Sequence, residues 1–319
     1  MKLRKLFVVL LALLVVLGLA GCGSGGGSYD EPAGGDDPVS IPNYLCFTST
    51  GNSSIKMEVR DGTPDSFPDL KYSKDGTTWE DFVVETTTVE LADGEKIYLR
   101  GDNTPFAVNH GFLNFVMTGS IAASGNIMSL VDKTCESVTI PKDNCFSGLF
   151  YQCTALTAAP ELPAITLTDG CYYLMFYGCT NLTAAPKLPA TTLAEDCYSE
   201  MFSECTALTS APELPAKSLS DYCYYRMFDG CTALTAAPEL PATTLAEYCY
   251  NGMFSECSKL SSIKVHFTDW NSGDGSTDNW VWGVADKGIF TCPSALPHSD
   301  FNSDKVPKDS GNHWDVTTF

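Results

Sequence analysis

The sequence repeats with a fixed period of 26 residues, and the cysteines show this most clearly. Ten of the 14 cysteines fall on two series in which neighbours are 26 residues apart. The segment from Cys197 to Tyr222 returns almost unchanged from Cys223 to Tyr248. Periods of about 20–50 residues are typical of arrays in which each unit buries its apolar face against its neighbours. We therefore predict a stack of like units, which favours binding over catalysis. The two series are Cys145, Cys171, Cys197, Cys223 and Cys249, and Cys153, Cys179, Cys205, Cys231 and Cys257.

The N-terminal residues have the pattern of an export signal. A basic start at residues 2–5 precedes an apolar run at 6–19 that is too short to span a bilayer as a stable helix. The run ends in Leu-Ala-Gly-Cys at residues 19–22, which resembles a bacterial lipobox. The resemblance implies cleavage before Cys22 and lipidation of its thiol. An ordinary secretory signal, cut nearby, is the alternative.

The charge of the chain restricts the kinds of partner that it can bind. The formal net charge is −20, which opposes binding to nucleic acid and to anionic lipid headgroups. We expect no nucleic-acid partner, and we expect contact with a membrane only through the N-terminal lipid. Residues 22–40 carry the lipidated cysteine and a flexible tether rich in glycine, serine, proline and acid.

Each unit is predicted to contain one short helix and one extended segment. Apolar residues recur every four positions from Leu193 to Cys205, as on one face of a helix. The preceding residues 192–195, Thr-Leu-Ala-Glu, match a capping box. Pro212 and Pro215 then forbid a helix and favour a short strand at 208–211.

These patterns divide the chain into five parts. We predict a lipoprotein signal peptide at 1–21, the lipidated cysteine and tether at 22–40, and a small β-sandwich-like domain at 41–131. An α/β repeat solenoid with one short helix and one extended segment per unit is predicted at 132–262, and a C-terminal cap at 263–319. The strands predicted in the third part are 45–47, 54–59, 70–73, 82–84, 88–91 and 96–99.

The repeat resembles a known family. The step Phe202-Ser203-Glu204-Cys205-Thr206-Ala207-Leu208, followed by proline, is similar to the BspA-like leucine-rich repeat family of bacterial surface proteins. The units here are longer, with Ala-Pro where that family has isoleucine. The resemblance implies a leucine-rich-repeat type of solenoid, display on the cell surface, and attachment to proteins, matrix or other cells. It implies no catalytic residues.

The cysteines of the two series could be free thiols, disulfides or metal ligands. In a helix, two cysteines eight residues apart lie about 12 Å apart along the axis, too far for a disulfide. Buried thiols are therefore favoured, with disulfides between units and a metal site as alternatives. No CxxC motif occurs and no histidine accompanies the series, so we expect no metal.

No motif for catalysis or a cofactor occurs in the sequence. The nucleophile-elbow, P-loop, dinucleotide and HExxH patterns are missing, and none of the four histidines recurs in the repeats. Residues 269–274 superficially resemble a calcium loop, but their acids are out of register. We expect no enzymatic activity and no cofactor.

The repeats vary at positions that the predicted helix would expose. Several of these positions hold tyrosine, which supplies rigid contact area at a low entropy cost. One reading is an aromatic surface for a protein or glycan ligand, and the other is simple packing between helices. The residues are Tyr173, Tyr177, Tyr222, Tyr225 and Tyr248.

Together these features predict a lipid-anchored protein of the bacterial cell envelope, exposed on the outer membrane, whose repeats serve adhesion or protein recognition. The alternative is a glycan-binding surface lipoprotein whose site lies in the N-terminal β domain and involves Trp79. A third reading is a structural spacer without a specific ligand.

Overall fold

Strands build both ends of the described chain, and tight turns build its middle. The computed structural model describes residues 42–60, 62, 67–102, 111–301, 305–306 and 313–319. Cys22 and the tether lie outside the described residues. No helix among the described residues is long and apolar enough to cross a membrane.

The N-terminal region forms two sheets that share one core. A six-stranded sheet has the order β4-β3-β6-β1-β8-β9, and a three-stranded sheet has the order β5-β2-β7. Phe47 on β1 and Phe115 on β7 join the two sheets, with ring centroids 5.0 Å apart. The strands are β1 (Leu45–Ser49), β2 (Ser53–Arg60), β3 (Leu70–Ser73), β4 (Glu80–Asp81), β5 (Thr88–Leu91), β6 (Lys96–Gly101), β7 (Phe112–Thr118), β8 (Ile121–Ser124) and β9 (Leu156–Ala158).

Alternation of buried and exposed residues explains these strands. On β2, Ile55 and Met57 point into the core and pair with Met117 and Phe115 of β7. Five of the six strands predicted in this region are confirmed as β1, β2, β3, β5 and β6. The prediction at 82–84 is wrong, because these residues follow β4 in a turn that buries Phe82.

The predicted α/β solenoid with a helix in each unit is wrong. Within the described residues the only helices are two 3-10 turns, at Ile127–Leu130 and His298–Asp300. Backbone φ is positive at Asp196, Glu200 and Glu204, at 53°, 52° and 61°. An α-helix cannot hold a left-handed residue at every fourth position. We name residues 144–153, 170–179, 196–205, 222–231 and 248–257 the turn segments of units 1 to 5; each begins at such a residue.

Backbone hydrogen bonds in a turn segment run alternately to the next unit and back along the chain. The N–H of Glu200 donates to the carbonyl of Tyr225 in the next unit, at 2.7 Å. The N–H of Met201 donates to the carbonyl of Tyr198, three residues back, at 3.3 Å. Turns of four residues place positions i and i+4 on one side, as a helix does. The apolar spacing therefore fits both structures, and the sequence pattern alone could not separate them.

The residues predicted as a capping box also link units instead of starting a helix. The N–H of Glu195 donates to the Asp169 carboxylate of the preceding unit, at 3.1 Å. Ser220 donates to the carbonyl of Leu193 at 2.8 Å. These side chains satisfy backbone groups across the stack.

Aromatic side chains of the turn segments stack in two columns inside the array. Tyr172 and Tyr198 have ring centroids 5.8 Å apart, and Phe176 and Phe202 are 5.5 Å apart, with nearly parallel planes. These rings are almost fully buried and supply much of the apolar contact between units. The columns are Phe146, Tyr172, Tyr198, Tyr224 and Tyr250, and Phe150, Phe176, Phe202, Phe228 and Phe254.

The second cysteine series consists of buried thiols that donate hydrogen bonds. The Cys205 thiol donates to the carbonyl of Phe176 in the preceding unit, at 3.1 Å, and the bond recurs in neighbouring units. All 13 cysteines of the described residues are free, and all except Cys135 are buried. Burial raises the pKa of the Cys205 thiol to about 12. The described residues contain no cluster that could hold a metal.

Large side chains and glycines alternate at the last left-handed position of successive turn segments. The Glu204 carboxylate lies over Gly230, where a Cβ atom would stand only 2.8 Å from Oε1. Each large side chain thus fills the space that the glycine of the next unit leaves open. The series is Gln152, Gly178, Glu204, Gly230, Glu256 and Gly283.

The extended half of each unit makes little sheet. The predicted strand at 208–211 is reduced to a single bridge between Ala184 and Ser210, since neighbouring prolines have no N–H to donate. Apart from β9 in unit 1, which pairs with β8, regular pairing of the extended halves among the described residues returns where β10 (Glu239–Leu240) meets β11 (Ser262–Val265).

Both ends of the array are covered. At the start, the Phe115 N–H on β7 bonds to the carbonyl of Leu149, and its ring stacks on Phe150 at 5.4 Å. At the far end, Tyr248 donates to Asp274 and Phe254 to Trp280, so the stacking continues past residue 262. Parallel strands β10 to β13 close that end; the last two are β12 (Lys287–Cys292) and β13 (His313–Thr318).

A glycine substitution distinguishes turns from a helix. Glu204→Gly and Glu204→Ala both remove the side chain that covers Gly230, so the difference between them reports on the backbone alone. At a left-handed position we expect the glycine variant to have the higher free energy of unfolding, by about 1 kcal/mol. The same pair at Glu195, an exposed position with ordinary φ, should show the reverse order. Denaturant unfolding measures all four variants. A more stable alanine variant at position 204 would argue for the helix.

Thiol counting tests the state of the cysteines. A protein beginning at Ser28 contains 13 cysteines. In the native state we expect rapid reaction of Cys135 alone with a thiol reagent, because the other twelve thiols are buried. After unfolding without reductant all 13 should react. A lower final count would show disulfides.

Candidate binding surfaces on the repeat units

The five tyrosines predicted to bind a ligand lie in the turn segments, and all are half-buried. The structure arranges them in two clusters. Tyr222 and Tyr248 stack with ring centroids 4.9 Å apart, and Tyr225 lies 5.9 Å from Tyr222. Tyr173 and Tyr177 lie two units earlier, in unit 2. Unit 3 separates the clusters with small or acidic residues at the equivalent positions, namely Asp196, Ser199 and Ser203.

Two aromatic residues that the sequence analysis did not select extend these clusters. Tyr151 stacks on Tyr177 at 5.0 Å and carries the Arg60 guanidinium on its ring at 4.5 Å. Trp282 is 62% exposed and lies beside Glu256, whose N–H bonds to its carbonyl. Tyr151 could have been found, because it occupies the repeat position of Tyr177. Trp282 lies outside the units with cysteines and carried no such signal.

Carboxylates surround the tyrosines. A surface hollow of about 370 Å³ is lined by Tyr173, Asp169, Glu195 and Asp196, together with Asn144 and Gly170. Burial and the nearby Glu200 and Asp196 raise the pKa of Tyr173 to about 12. Burial also raises the pKa of Asp196, and the neighbouring Glu195 and Asp169 add to that effect. This part of the surface is therefore strongly acidic.

One arginine lies within the second cluster. Arg226 lies 5.9 Å from the ring centre of Tyr225 and pairs with Asp229 at 3.6 Å. Each arginine in the described residues, which are Arg60, Arg100 and Arg226, lies over an aromatic ring. A cation over tyrosine beside a carboxylate is thus an arrangement that this chain already uses.

The extended halves of units 1 to 4 form a second surface, which the sequence analysis did not select. Alanine and proline side chains line three successive grooves of about 660, 520 and 380 Å³ between neighbouring units. One charged residue per unit lies in the middle of each segment. We name this surface the proline strip; it comprises residues 159–163, 185–189, 211–215 and 237–241.

Trp79, the residue named for a glycan site, is half-buried, and neighbouring side chains contact its ring. The Arg100 guanidinium lies 4.0 Å from the centre of a Trp79 ring, and Tyr44 meets it edge-on at 5.2 Å. The adjacent turn is held by Asp75, which accepts from the N–H groups of Thr77 and Thr78. A sugar would have to displace Arg100 to stack on that ring face.

The segment that resembles a calcium loop is a polar turn. Asp269 accepts from the N–H of Asn271 at 3.0 Å, and Ser272 accepts from the N–H of Leu245 at 2.8 Å. The first bond closes the turn, and the second ties it to the residues just before the turn segment of unit 5.

Comparisons with protein-family models, with curated proteins and with solved structures found no match for this chain.

Neutralising one carboxylate should stabilise the protein. Burial raises the pKa of Glu200; Arg226 and a hydrogen bond with Tyr173 oppose the effect, and Asp229 and Asp196 add to it. When folding raises the pKa of a carboxyl group, the protein loses stability as the pH rises through that raised pKa. We expect Glu200→Gln to raise the melting temperature at pH 7 by about 1–3 °C.

Calorimetry at two pH values provides the check. The gain should vanish near pH 4, where the glutamate itself is largely protonated. Glu195→Gln removes the same charge from an exposed position and should change the melting temperature less. An equal gain in both variants would assign the effect to net charge alone.

Proposed function

We propose that this chain is a non-catalytic binding protein, held at the bacterial cell envelope by a lipid on Cys22, whose repeats recognise an extracellular protein or glycan. The tyrosines of the turn segments are its contact residues. The lipobox pattern and the tether support anchoring and display. The resemblance of the step around Cys205 to BspA-like surface proteins supports attachment, although the helix implied by that family is not part of these units.

The observation that carries the proposal is that the fold does not need these tyrosines. Ser199 and Asn251 occupy the repeat position of Tyr173 and Tyr225 within the same array. The buried columns already fill the core, and they use different positions. A large aromatic residue that is half-exposed where serine suffices is well placed for contact with a partner.

Two clusters on one array also suit multivalent binding. A partner with repeated features could engage Tyr173 with Tyr177 and, two units on, the group around Tyr222. Linked weak contacts raise the overall affinity without a deep pocket. The hollow beside Tyr173 is shallow, which agrees with surface recognition.

The repeats themselves supply the substitutions for a test. Tyr173→Ser, Tyr177→Ser and Tyr225→Ser introduce the residue that unit 3 has at those positions, and Tyr222→Asn and Tyr248→Asn introduce the residue of unit 1. We expect the five-fold variant, beginning at Ser28, to keep its melting temperature within a few degrees. Its binding to matrix proteins, mucins or polysaccharides should fall at least tenfold.

Trp79→Ser is the matched variant for the alternative site. Binding that survives in Trp79→Ser and is lost in the tyrosine variant supports recognition by the turn segments. The reverse pattern would contradict it and place a glycan site in the N-terminal sheets. Surface plasmon resonance against one immobilised panel measures both variants.

A further inference from the structure

The proline strip is apolar except for one charged residue in each unit, and the order of these charges along the strip is informative. The middle residue of the strip is Glu161, Lys187, Glu213 and Glu239 in units 1 to 4. The single lysine lies in unit 2, next to a glutamate in unit 3, at the centre of the strip. Lys187 and Glu213 both line the central groove of about 520 Å³, with Pro186 and Pro212.

The outer two glutamates are already engaged by this chain. Asn43 donates to the Glu161 carboxylate at 2.8 Å. Glu239 pairs with Lys264 at 2.8 Å and with His266 at 2.5 Å. Within the described chain, the two central residues have no ion-pair partner, and both are exposed.

We propose that the proline strip binds the same strip of a second copy of this chain, with the two arrays antiparallel. Consider a two-fold axis that lies in the interface, crosses the array at right angles and passes between units 2 and 3. This axis places Lys187 of each copy opposite Glu213 of the other, twice. An isologous contact needs a surface that is complementary to itself, and the order of these charges meets that condition.

The parallel arrangement and the neighbouring registers set like charges opposite one another. Parallel strips would set Lys187 against Lys187 and Glu213 against Glu213. An axis through unit 2 sets Lys187 against itself, and an axis through unit 3 sets Glu213 against itself. An axis between units 1 and 2 would pair Lys187 with Glu161, but only two units of each copy would overlap, and Glu161 already accepts from Asn43. The register between units 2 and 3 overlaps all four units, and the Glu161 and Glu239 that it brings together are already engaged within each copy. Charge and overlap together therefore favour this register.

The size of the strip sets the expected strength. Stacked phenylalanine rings place successive units 5.3–5.8 Å apart. Four units of five extended residues then cover about 17 by 15 Å, roughly 250 Å² per copy, well below the ~800 Å² of a standard stable interface. We expect a weak dimer in solution, with a dissociation constant of about 0.1–1 mM. Anchoring on one membrane would raise the effective concentration.

Charge exchange on the protein beginning at Ser28 tests the register. Sedimentation equilibrium up to about 1 mM should show dimers of the unchanged protein. Lys187→Glu and Glu213→Lys should each weaken association at least tenfold, because each sets like charges opposite one another twice. The double variant, with both exchanges, should associate as the unchanged protein does. Each exchange introduces a residue that the strip already holds in another unit, so the fold should tolerate it.

A mixture of the two single variants gives the decisive measurement. In a mixed dimer, Glu at 187 of one copy faces Lys at 213 of the other, and Glu213 faces Lys187. Mixing two variants that are monomeric alone should therefore restore dimers. Glu213→Lys also reduces the net negative charge of the protein, and that reduction by itself favours association. A loss of dimers in this variant would therefore reflect the local contact and not the net charge. Glu90→Lys, with the same change of charge on β5, should not reduce association.

Three results would overturn the proposal. The first is a monomeric unchanged protein at 1 mM. The second is a single variant that associates as well as the unchanged protein, and the third is a mixture that stays monomeric. None of these results bears on ligand binding by the tyrosines, none of which lines the grooves of this strip, so the two proposals fail independently.

Discussion

Hydrogen bonds between the backbones of successive turn segments are the interaction on which the rest of the structure depends. Five of them join each pair of neighbouring units, from unit 1 to the residues around Asp278. A helix would satisfy its N–H groups internally, whereas a turn segment directs alternate N–H groups to its neighbour. No unit can therefore satisfy its own backbone, and both ends need a partner. Strand β7 meets that need at one end and residues 274–282 at the other.

This arrangement separates the residues that hold the array together from those that face outward. Buried rings and thiols repeat with little change, because each must contact its counterpart one unit away. The outward-facing side chains do not have to match a counterpart one unit away, and the units differ at those positions. The tyrosine clusters and the order of charges on the proline strip are both departures from strict repetition. In a chain whose units are otherwise near copies, such departures are where recognition can be encoded.

Sequence patterns predicted the stack, its period and most of the N-terminal strands, because the repetition and alternation of apolar residues follow directly from which side chains are buried. They failed for the local structure of each unit. Leu193, Cys197 and Met201 recur every four residues, which fits a helix and a series of four-residue turns alike. The sign of the left-handed positions lay in the other units, where Gly170 stands at the position of Asp196 and Gly178 at that of Glu204. The proline strip was missed because its residues were judged only as obstacles to sheet formation.

The alternation of large residue and glycine gives the last left-handed position of the turn segments a period of two units, twice the period of the sequence. Gln152 covers Gly178, Glu204 covers Gly230, and Glu256 covers Gly283. An array lengthened by a single unit would set two large side chains, or two glycines, next to each other. The first case crowds the surface and the second leaves a gap. Growth or shortening by two units, 52 residues, would leave every such contact intact, so this position favours changes of length in pairs of units.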